Sequence, residues 1–445
     1  MKKTVVRTIA LLALAATAIA SETPASGMPN ILFILTDDMG WGDPSSFGNK
    51  ETPTPNIDRL ANGGMRFTQF YVASPICSAS RVAFMTGSFP ARWQINDYLH
   101  ESQKNKAHEC VNWLDIKAPT LARTLHEAGY ATAHFGKWHM GGGRDVQNAP
   151  WPKEYGFDES HVNHEGCGPR ISDPEDEGKK LARYEITGFW ADKTMEFIRR
   201  HKAGPFFVQF WPQDVHAPYK PNPEELASGS GAPNDRQNFN AVLRGYDREI
   251  GRVLDFLKTE GLEQNTIVVF SSDNGPKPSF ERQRTGGLRG MKWSLYEGGV
   301  REPFLIRWPN GIPAGKTDSR TILSSIDLFP TLCALAGVPM PRECVIDGMD
   351  ASKACRGEAL ERSSPLFWEY GRKNSCFFPT ETGARSPNLA VRDGKWKLLV
   401  NADGSGEELY DLDADSNETS NVAAQNPEPV KRLRSAVLSW RKSLP

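Results

Sequence analysis

Four oxygen-bearing side chains follow two apolar segments that lie far apart in the sequence. The segments are Ile31–Leu35 and Thr266–Ser271, and their β-branched and aromatic residues predict buried strands. The four side chains are Asp37, Asp38, Asp273 and Asn274. In open parallel sheets, ligands bind at the carboxyl ends of the strands, where such oxygens suit a hard cation such as Ca²⁺ or Mg²⁺. The pattern therefore predicts a site for one divalent cation, although Asp and Asn are also common in ordinary turns.

A cysteine at the start of a predicted helix is the candidate nucleophile. Cys77 precedes the helical stretch Val82–Thr86, and backbone N–H groups at such a position favour an anion. Arg81 follows one helical turn later. The chain has 7 cysteines without the close pairs of a zinc site, and the odd count leaves one outside any set of disulfides. Taken alone, Cys77 is also explained as a buried packing residue.

The elements that must position these residues alternate between strands and helices. The predicted strands are Ile31–Leu35, Tyr130–Phe135, Pro205–Phe210, Thr266–Ser271 and Pro303–Arg307. The predicted helices are Ile57–Ala61, Thr120–Ala128, Gly188–His201, Phe239–Leu257 and Ile326–Ala336. This alternation predicts an α/β fold in which a large mixed, mostly parallel sheet is sandwiched between helices.

From about Pro365 the pattern changes to closely spaced strands. The predicted elements are the strands Leu366–Tyr370, Leu389–Arg392, Trp396–Val400 and Glu408–Leu412, followed by a helix over Pro427–Trp440. We therefore expect a large domain over residues 28–360 and a smaller α+β subdomain over residues 361–445, with an antiparallel sheet and one covering helix. The loops Arg92–Lys117 and Asn163–Lys180 are long enough to act as lids.

The N-terminus has the pattern of a secretory signal peptide. Basic residues at Lys2, Lys3 and Arg7 precede the apolar stretch Ile9–Ala20, which ends in small residues. The stretch is shorter than the ~20 residues of a membrane span. Residues 1–20 are therefore expected to be removed on export to the periplasm or the outside of the cell, with an uncleaved anchor as the alternative. With 53 basic and 54 acidic residues and no basic block, the chain is not expected to bind nucleic acid.

Several motifs, taken together, resemble the type I sulfatase family. The segment Cys77-Ser78-Ala79-Ser80-Arg81, followed by Thr86-Gly87, is similar to the family signature, whose cysteine is oxidised after translation to formylglycine. The other segments that resemble family motifs, in the family's order, are Pro53–Ala61, Gly136–Gly141, Val215–Pro218, Ser272–Gly275 and Lys292–Pro303 with its core Glu297–Arg301. The segment Val391–Leu398 resembles the family's small domain. The resemblance implies an alkaline-phosphatase-like fold whose catalytic domain spans residues 28–360.

The resemblance also implies a role for each candidate residue. The implied catalytic residues are Cys77, Arg81, Lys137, His139, His216 and Lys292. Formylglycine at position 77 supplies the nucleophilic hydroxyl, the lysines stabilise charge on the sulfate, His139 is the base and His216 the acid. The implied cation ligands are Asp37, Asp38, Asp273, Asn274 and the modified Cys77. The expected cation is Ca²⁺, with Mg²⁺ as the alternative.

One position departs from the family pattern. The third residue of the signature, usually proline, is Ala79 in this chain. The resemblance implies that oxygen-dependent converting enzymes read the proline form, whereas bacterial radical-type maturases also accept alanine. We therefore expect a bacterial exported enzyme whose formylglycine is generated by a partner of the radical type.

The substrate is predicted less directly. Export and the length of the segment Ala91–Ala118 favour a sulfated carbohydrate over a small aryl sulfate. Asp97, His100 and Arg372 are the candidate sugar contacts, although a solvated loop explains them equally well. Two other functions stay open at this point: phosphodiester or phosphonate hydrolysis within the same superfamily, and non-catalytic binding of a sulfated glycan. The presence of all the candidate catalytic lysines and histidines argues against non-catalytic binding.

Overall fold

A large mixed sheet forms the framework of the molecule. The computed structural model describes residues 27–146, 148–163, 181–226, 236–277, 280–342 and 344–445. The expected signal peptide, residues 1–20, lies outside the described residues, and so do residues 164–180 of the expected lid Asn163–Lys180.

Nine strands of the described residues form this sheet. They are β1 Asn30–Thr36, β2 Met65–Tyr71, β3 Ala131–Lys137, β4 Glu159–Asn163, β5 Phe206–Trp211, β6 Thr266–Ser272, β7 Arg301–Arg307, β8 Lys316–Asp318 and β9 Leu323–Ser324. The strand order is β4-β3-β5-β1-β6-β7-β2-β8, and β9 pairs with β2. The five strands from β4 to β6 in this order pair in parallel, whereas β7 runs antiparallel to β6 and β2. The predicted mixed, mostly parallel sheet is confirmed.

Helices cover both faces of this sheet. They are α1 Pro55–Gly63, α2 Cys77–Thr86, α3 Ser102–Ala107, α4 Leu121–Glu127, α5 Ile186–His201, α6 Arg236–Thr259, α7 Glu297–Val300, α8 Leu328–Ala336 and α9 Ser352–Cys355. Ile31 and Phe33 of β1 belong to the core that includes α2, α4 and α8, whereas Leu32 and Ile34 belong to the core that includes α1, α5 and α6. Because both faces are covered, the centre of β1 is apolar at every position. Of the helices in the described part of the chain, none is both long enough and apolar enough to cross a membrane.

A smaller antiparallel sheet follows in the C-terminal part of the chain. Its elements are β10 Leu366–Glu369, β11 Leu389–Asp393, β12 Trp396–Val400, β13 Glu408–Asp411 and the helix α10 Pro427–Lys442. The strands pair in chain order, and α10 covers one face. The other face joins the core of the larger sheet, where Trp368 Nε1 donates a hydrogen bond to the Val72 carbonyl (2.8 Å) and its ring packs edge-on against Tyr71. The predicted small sheet with its covering helix is confirmed.

Two kinds of element differ from the sequence prediction. Four strands of the larger sheet, β2, β4, β8 and β9, were not predicted. β2 carries polar residues between its apolar ones, β4 is a polar strand at the sheet edge, and β8 and β9 are very short. The helix α2 begins at Cys77 rather than at Val82, and every residue in it is buried. Its small serine and alanine side chains allow this close packing on all sides.

A buried charge network joins the smaller sheet to the segment before β7. Lys397 Nζ lies 2.9 Å from Glu297 Oε1 and 3.0 Å from Glu418 Oε1, and all three residues are fully buried. The Glu297 N–H donates to Glu418 Oε2 (2.6 Å), and the Tyr71 hydroxyl donates to Glu297 Oε2 (2.6 Å). Burial acts to raise the pKa of both carboxyls; Lys397 overcomes this at Glu297, whose pKa falls to about 2, whereas the pKa of Glu418 rises to about 7. One ammonium group thus holds two carboxyls from different parts of the chain.

We expect Lys397→Met to lower the free energy of unfolding by ~3–5 kcal/mol, because it removes the ammonium that pairs with Glu297 and Glu418 in a buried site. The loss should grow as the pH is raised from about 5 to 8. Unpaired buried carboxyls have raised pKa values in the folded chain, and the stability that comes from their bound protons is lost as the pH rises. Urea unfolding followed by tryptophan fluorescence measures both effects.

The matched control for this prediction is Lys395→Met. Lys395 lies in the same hairpin, but it is exposed and pairs with Asp411 at the surface, so its loss should cost less than ~1 kcal/mol. Equal destabilisation by the two substitutions would contradict the role of the buried network.

Candidate active site at the carboxyl edge of the sheet

The two predicted ligand segments lie side by side at one edge of the large sheet. β1 and β6 pair in parallel with Thr36 opposite Ser272, so the residues that follow the two strands leave the sheet together. The Asp38 N–H donates to Asp273 Oδ1 (3.1 Å), and Asn274 Nδ2 donates to Asp38 Oδ1 (2.7 Å). The strand register therefore brings together side chains from distant parts of the sequence.

The helix α2 places Cys77 and Arg81 against this edge. Cys77 is its first residue, and the Sγ atom lies 3.6 Å from Asp37 Oδ1. Arg81, one turn later on the same face, donates from Nε (3.1 Å) and Nη2 (2.7 Å) to Asp273 Oδ2. Its Nη1 donates to the Lys137 carbonyl at the end of β3 (3.0 Å). The arginine thus ties three elements of the site to one another.

Two buried lysines complete the surroundings of Cys77. Lys137 Nζ donates to both oxygens of Asp37 (2.9 and 2.8 Å), and Lys292 Nζ lies 2.5 Å from Asp38 Oδ1 and 3.4 Å from Cys77 Sγ. Burial alone would lower the pKa of each ammonium, but the adjacent carboxylates hold it above its usual value. Both lysines are therefore charged at neutral pH.

The carboxyl groups respond in different ways to burial. Burial acts to raise the pKa of all three, and Lys137 overcomes it at Asp37, whose pKa is well below its usual value. The pKa of Asp38 is also lowered, since Lys292 and His216 outweigh its burial. The pKa of Asp273 is raised, because burial there exceeds the effect of Arg81. A cation bound beside Asp273 would favour its ionised form.

The buried oxygen atoms fit a hard divalent cation. Ligand atoms of Asp37, Asp38, Cys77 and Asp273 all lie within 4.8 Å of one another. Asn274 Oδ1 is buried and accepts no hydrogen bond from the described residues. Carboxylate and amide oxygens are the donors that Ca²⁺ and Mg²⁺ prefer, so this amide oxygen fits the role of a cation ligand.

The thiol of Cys77 is not activated in this environment. Burial raises its pKa well above the usual value, and Lys137 and Lys292 offset this only in part. Because the thiolate rather than the thiol is the nucleophilic form, an unmodified Cys77 would be a weak nucleophile at neutral pH. The position nevertheless faces both lysines, which suits an oxygen nucleophile that is introduced by modification.

The two histidines occupy different environments. His139 follows β3 in a left-handed conformation (φ 54°), and its Nδ1 is buried without a hydrogen-bond partner among the described residues. Burial, together with Lys137 and Arg81, holds the pKa of His139 well below its usual value, so the ring is neutral. His216 is half-buried, and its Nε2 lies 3.4 Å from Asp38 Oδ2. The site therefore has one buried, neutral histidine, His139, and one histidine nearer to solvent, His216, which contacts Asp38.

The three candidate sugar contacts lie outside this cluster of charges. Asp97 is buried, with Oδ2 2.9 Å from His108 Nδ1. Arg372 forms a bidentate pair with Glu369 (2.7 and 2.8 Å). The His100 ring packs on Tyr98 with centroids 3.5 Å apart. Asp97 and Arg372 are therefore engaged with other charged groups of the chain.

Two supports of the site were not found from the sequence. Arg284 Nη2 donates to the Asp38 carbonyl (2.6 Å) and to Asp43 Oδ2 (2.7 Å), so this buried pair holds the main chain of a candidate ligand. Nothing in the local sequence marks the pair, because its members are far apart in the chain. Tyr98 was also missed, although its ring lies 5.9 Å from that of His139.

Two family models match the chain. The model described as Sulfatase matches residues 29–338, which is more than half of the chain. The model described as N-sulphoglucosamine sulphohydrolase, C-terminal, matches residues 291–441. The two matches overlap in the segment that carries Lys292 and Glu297.

Relatives with assigned activities align over nearly the whole length. An N-acetylgalactosamine-6-O-sulfatase of Bacteroides thetaiotaomicron is 30% identical over 92% of each chain. Human arylsulfatase A is 31% identical over 94% of this chain and 88% of its own. A solved structure from work on glycosaminoglycan metabolism by B. thetaiotaomicron has a TM-score of 0.78 at 27% identity and covers 94% of this chain and 100% of its own. Ps i-CgsB in complex with k-i-k-neocarrahexaose also has a TM-score of 0.78 at 27% identity, with 93% of each chain covered.

We expect Asn274→Ala to weaken Ca²⁺ binding by at least about tenfold, the lower end of the loss seen even for residues around a ligand set. The substitution removes an oxygen donor, whereas Asn274→Asp keeps one and should retain binding. Isothermal titration calorimetry on metal-stripped protein measures the affinity, and circular dichroism checks the fold. Unchanged affinity in Asn274→Ala would show that the amide oxygen is not a ligand.

Proposed function

Because this chain belongs to the sulfatase family and is a sulfuric ester hydrolase, we propose that Cys77, converted to formylglycine, attacks the sulfur atom of a sulfated carbohydrate. The observation that carries the proposal is the position of Cys77, whose Sγ contacts Asp37 and Lys292 within a buried set of balanced charges. A thiol with a raised pKa has no evident use there. An oxygen nucleophile at the same position fits the lysines and the anionic substrate.

The family uses one divalent cation, and we assign its ligands here to Asp37, Asp38, Asp273, Asn274 and the modified residue 77. The all-oxygen donor set favours Ca²⁺, with Mg²⁺ as the alternative. When bound, the cation supplies a Lewis acid that lowers the pKa of a hydroxyl at residue 77. Three carboxylates face Arg81, Lys137 and Lys292, so the charges of the chain itself nearly cancel. An added divalent charge would make the site attractive to a sulfate ester.

The first step transfers the sulfuryl group to residue 77. A hydroxyl oxygen of residue 77, which has lost its proton to solvent, forms a bond to sulfur as the bond from sulfur to the sugar oxygen breaks, and negative charge spreads over the other sulfate oxygens. Lys137 and Lys292 are fixed beside Cys77 and stabilise that charge, while Arg81 holds the nucleophile in place. His216 donates a proton to the departing sugar oxygen. Its more exposed position suits a group that meets the leaving part of the substrate.

The second step releases sulfate and restores the aldehyde. His139 accepts the proton of the remaining hydroxyl at residue 77, and the carbon–oxygen bond to the sulfate breaks as the aldehyde carbonyl forms. No water attacks sulfur, and a later hydration restores the two hydroxyls. The neutral state of the His139 ring at physiological pH suits this role as a base.

For the substrate we propose the 6-sulfate of an N-acetylhexosamine. Relatives that align over most of this chain are N-acetylgalactosamine-6-sulfatases, and the solved structures of similar fold include a carbohydrate complex. We retain Asp97, His100 and Arg372 as sugar-contact candidates, with His100 the most direct because its ring packs on Tyr98 beside His139. Asp97 and Arg372 would act by positioning their neighbours.

The proposal also covers the export and the maturation of the enzyme. We propose that residues 1–20 direct a bacterial enzyme to the periplasm or the outside of the cell. Ala79 in the signature favours a radical-type maturase as the enzyme that generates formylglycine. The relative from B. thetaiotaomicron supports a bacterial setting.

Sulfate release from N-acetylgalactosamine 6-sulfate, with mass spectrometry of the peptide that carries residue 77, tests the proposed function. Protein from a host with the maturase should carry the aldehyde mass and release sulfate, whereas Cys77→Ala should release none. A matched phosphate ester and a phosphonate ester should be hydrolysed much more slowly. An unmodified thiol in fully active protein, or faster turnover of the phosphorus esters, would contradict the proposal.

The two histidines should differ in their dependence on the leaving group. His216→Ala should slow a sugar sulfate ~10²–10⁴-fold more than 4-nitrophenyl sulfate, because the sugar alkoxide needs a proton and the nitrophenolate does not. His139→Ala should slow both substrates and let sulfated enzyme accumulate, because it acts after the leaving group has departed. Steady-state rates and intact-protein mass spectrometry measure these effects. Equal losses on both substrates for His216→Ala would reassign the acid.

A further inference from the structure

Three aromatic rings from separate segments stack beside the candidate nucleophile. Phe377 lies between the other two, with its centroid 5.3 Å from that of Trp293 and 5.5 Å from that of Tyr98, and with interplanar angles of 20° and 29°. We call Tyr98, Phe377 and Trp293 the aromatic column. One end is next to His139, 5.9 Å from the Tyr98 ring, and at the other end Trp293 directly follows Lys292. The column therefore extends from His139 to the residue that follows Lys292.

The column is held in place by neighbouring structure. Trp293 has a left-handed backbone (φ 72°), a strained conformation for a bulky residue, and its N–H donates to the Pro75 carbonyl (3.0 Å) two residues before Cys77. Such strain persists only where the surroundings fix it, and it is common at binding sites. The position of Trp293 is thus linked to that of the nucleophile.

A buried cluster anchors the other two rings. Ligand-type atoms of Asp97, His108 and Cys376 lie within 4.8 Å of one another. Asp97 directly precedes Tyr98, and Cys376 directly precedes Phe377. The cluster therefore joins the long loop Arg92–Lys117 to the segment after β10, and it sets the two rings against each other. This gives a structural purpose to the burial of Asp97.

An exposed ammonium lies over the end of the column. Lys277 Nζ is 4.3 Å from the centroid of the Trp293 ring, and it forms no ion pair with a described residue. Its main chain is fixed because the Tyr219 hydroxyl donates to the Lys277 carbonyl (2.8 Å). Lys277 follows Asn274 by three positions, so a fixed turn carries it from the cation ligands to the rim of the site. Partial burial and repulsion by Lys292 lower the pKa of Lys277.

The middle of the column is open to solvent. Phe377 is 44% exposed, so its ring presents apolar surface to solvent beside a charged site. A sugar ring presents C–H bonds on one face and polar groups at its edges, which suits contact with an exposed aromatic ring that lies next to charged side chains. An aryl sulfate has no second anionic group to pair with Lys277.

Building on the proposed function, we propose that Phe377 and Lys277 form a subsite for an anionic oligosaccharide: Phe377 packs against the C–H face of a sugar ring, and Lys277 binds an anionic substituent of the sugar next to the sulfated one. Tyr98 and Trp293 position Phe377. The substrate class is accordingly a sulfated glycan that carries a second negative charge, either a carboxylate or a further sulfate. The reacting sulfate would be bound at residue 77, so a second anionic group is needed to pair with Lys277.

Kinetics on two defined sugars test the subsite. The first is N-acetylgalactosamine 6-sulfate, in which the reacting sulfate is the sole anion, and the second is the 6-sulfated chondroitin disaccharide, which adds a uronic carboxylate. Lys277→Gln should lower kcat/KM for the disaccharide about tenfold more than for the monosaccharide, the loss of one charge-assisted hydrogen bond. Phe377→Ala should raise KM for both sugars about tenfold, through lost apolar contact, with a smaller effect on kcat.

Two control variants match these substitutions. Ile116→Ala removes a side chain that is also 44% exposed, in the same long loop region, and Lys258→Gln removes an exposed ammonium at the end of α6. Neither should change the kinetics on either sugar. Equal losses on the two sugars for Lys277→Gln, or an unchanged KM in Phe377→Ala, would overturn the subsite.

The wild-type enzyme separates failure of the subsite from failure of the proposed function. Turnover of 4-nitrophenyl sulfate with neither sugar hydrolysed would overturn the subsite and leave the sulfatase activity intact. No sulfate release from the two sugars or from 4-nitrophenyl sulfate, in protein that carries the aldehyde, would instead overturn the proposed function.

Discussion

The rest of the site depends on the mutual neutralisation of six charged side chains that are buried around Cys77. They are Asp37, Asp38, Asp273, Arg81, Lys137 and Lys292. A buried charge is costly unless it is paired, so each of these groups constrains its partners. Displacement of Arg81 would break its ion pair with Asp273, and displacement of Lys137 would break its ion pair with Asp37. The pairs therefore hold the geometry rigid. The proposed cation would add positive charge to a site whose own charges nearly cancel.

The fold brings these charged residues together from elements that lie far apart in the sequence. Parallel pairing of β1 with β6 aligns two ligand segments, β3 delivers Lys137, and the fully buried α2 delivers Cys77 and Arg81. The C-terminal part of the chain supports the site indirectly. Lys397 and Glu418 contact Glu297, which lies five residues after Lys292. The C-terminal part of the chain thus supports the segment that carries Lys292 of the candidate active site, and the two family matches overlap on that segment.

Much of this arrangement could be predicted from the sequence, for identifiable reasons. Strands inside a parallel sheet are covered on both faces, so β1 and β6 stand out as continuous apolar runs, and their polar exits mark the ligand positions. The edge strand β4 lacks that signal because its sequence is polar. The pair Arg284 and Asp43 leaves no local trace, since only the folded chain brings its members together. Periodicity cannot show that Asp97 of the long loop is buried against His108 or that Phe377 is exposed, because both depend on contacts between distant segments.

The burial of α2 limits when Cys77 could be converted to the proposed nucleophile. Cys77 is 2% exposed, and every residue of the helix that begins there is enclosed by its neighbours. A maturase that converted Cys77, as proposed, would need this segment in an unpacked form. Such access would be available before the sheet and helices pack around α2. A molecule that folded before conversion would then keep an unmodified thiol at position 77.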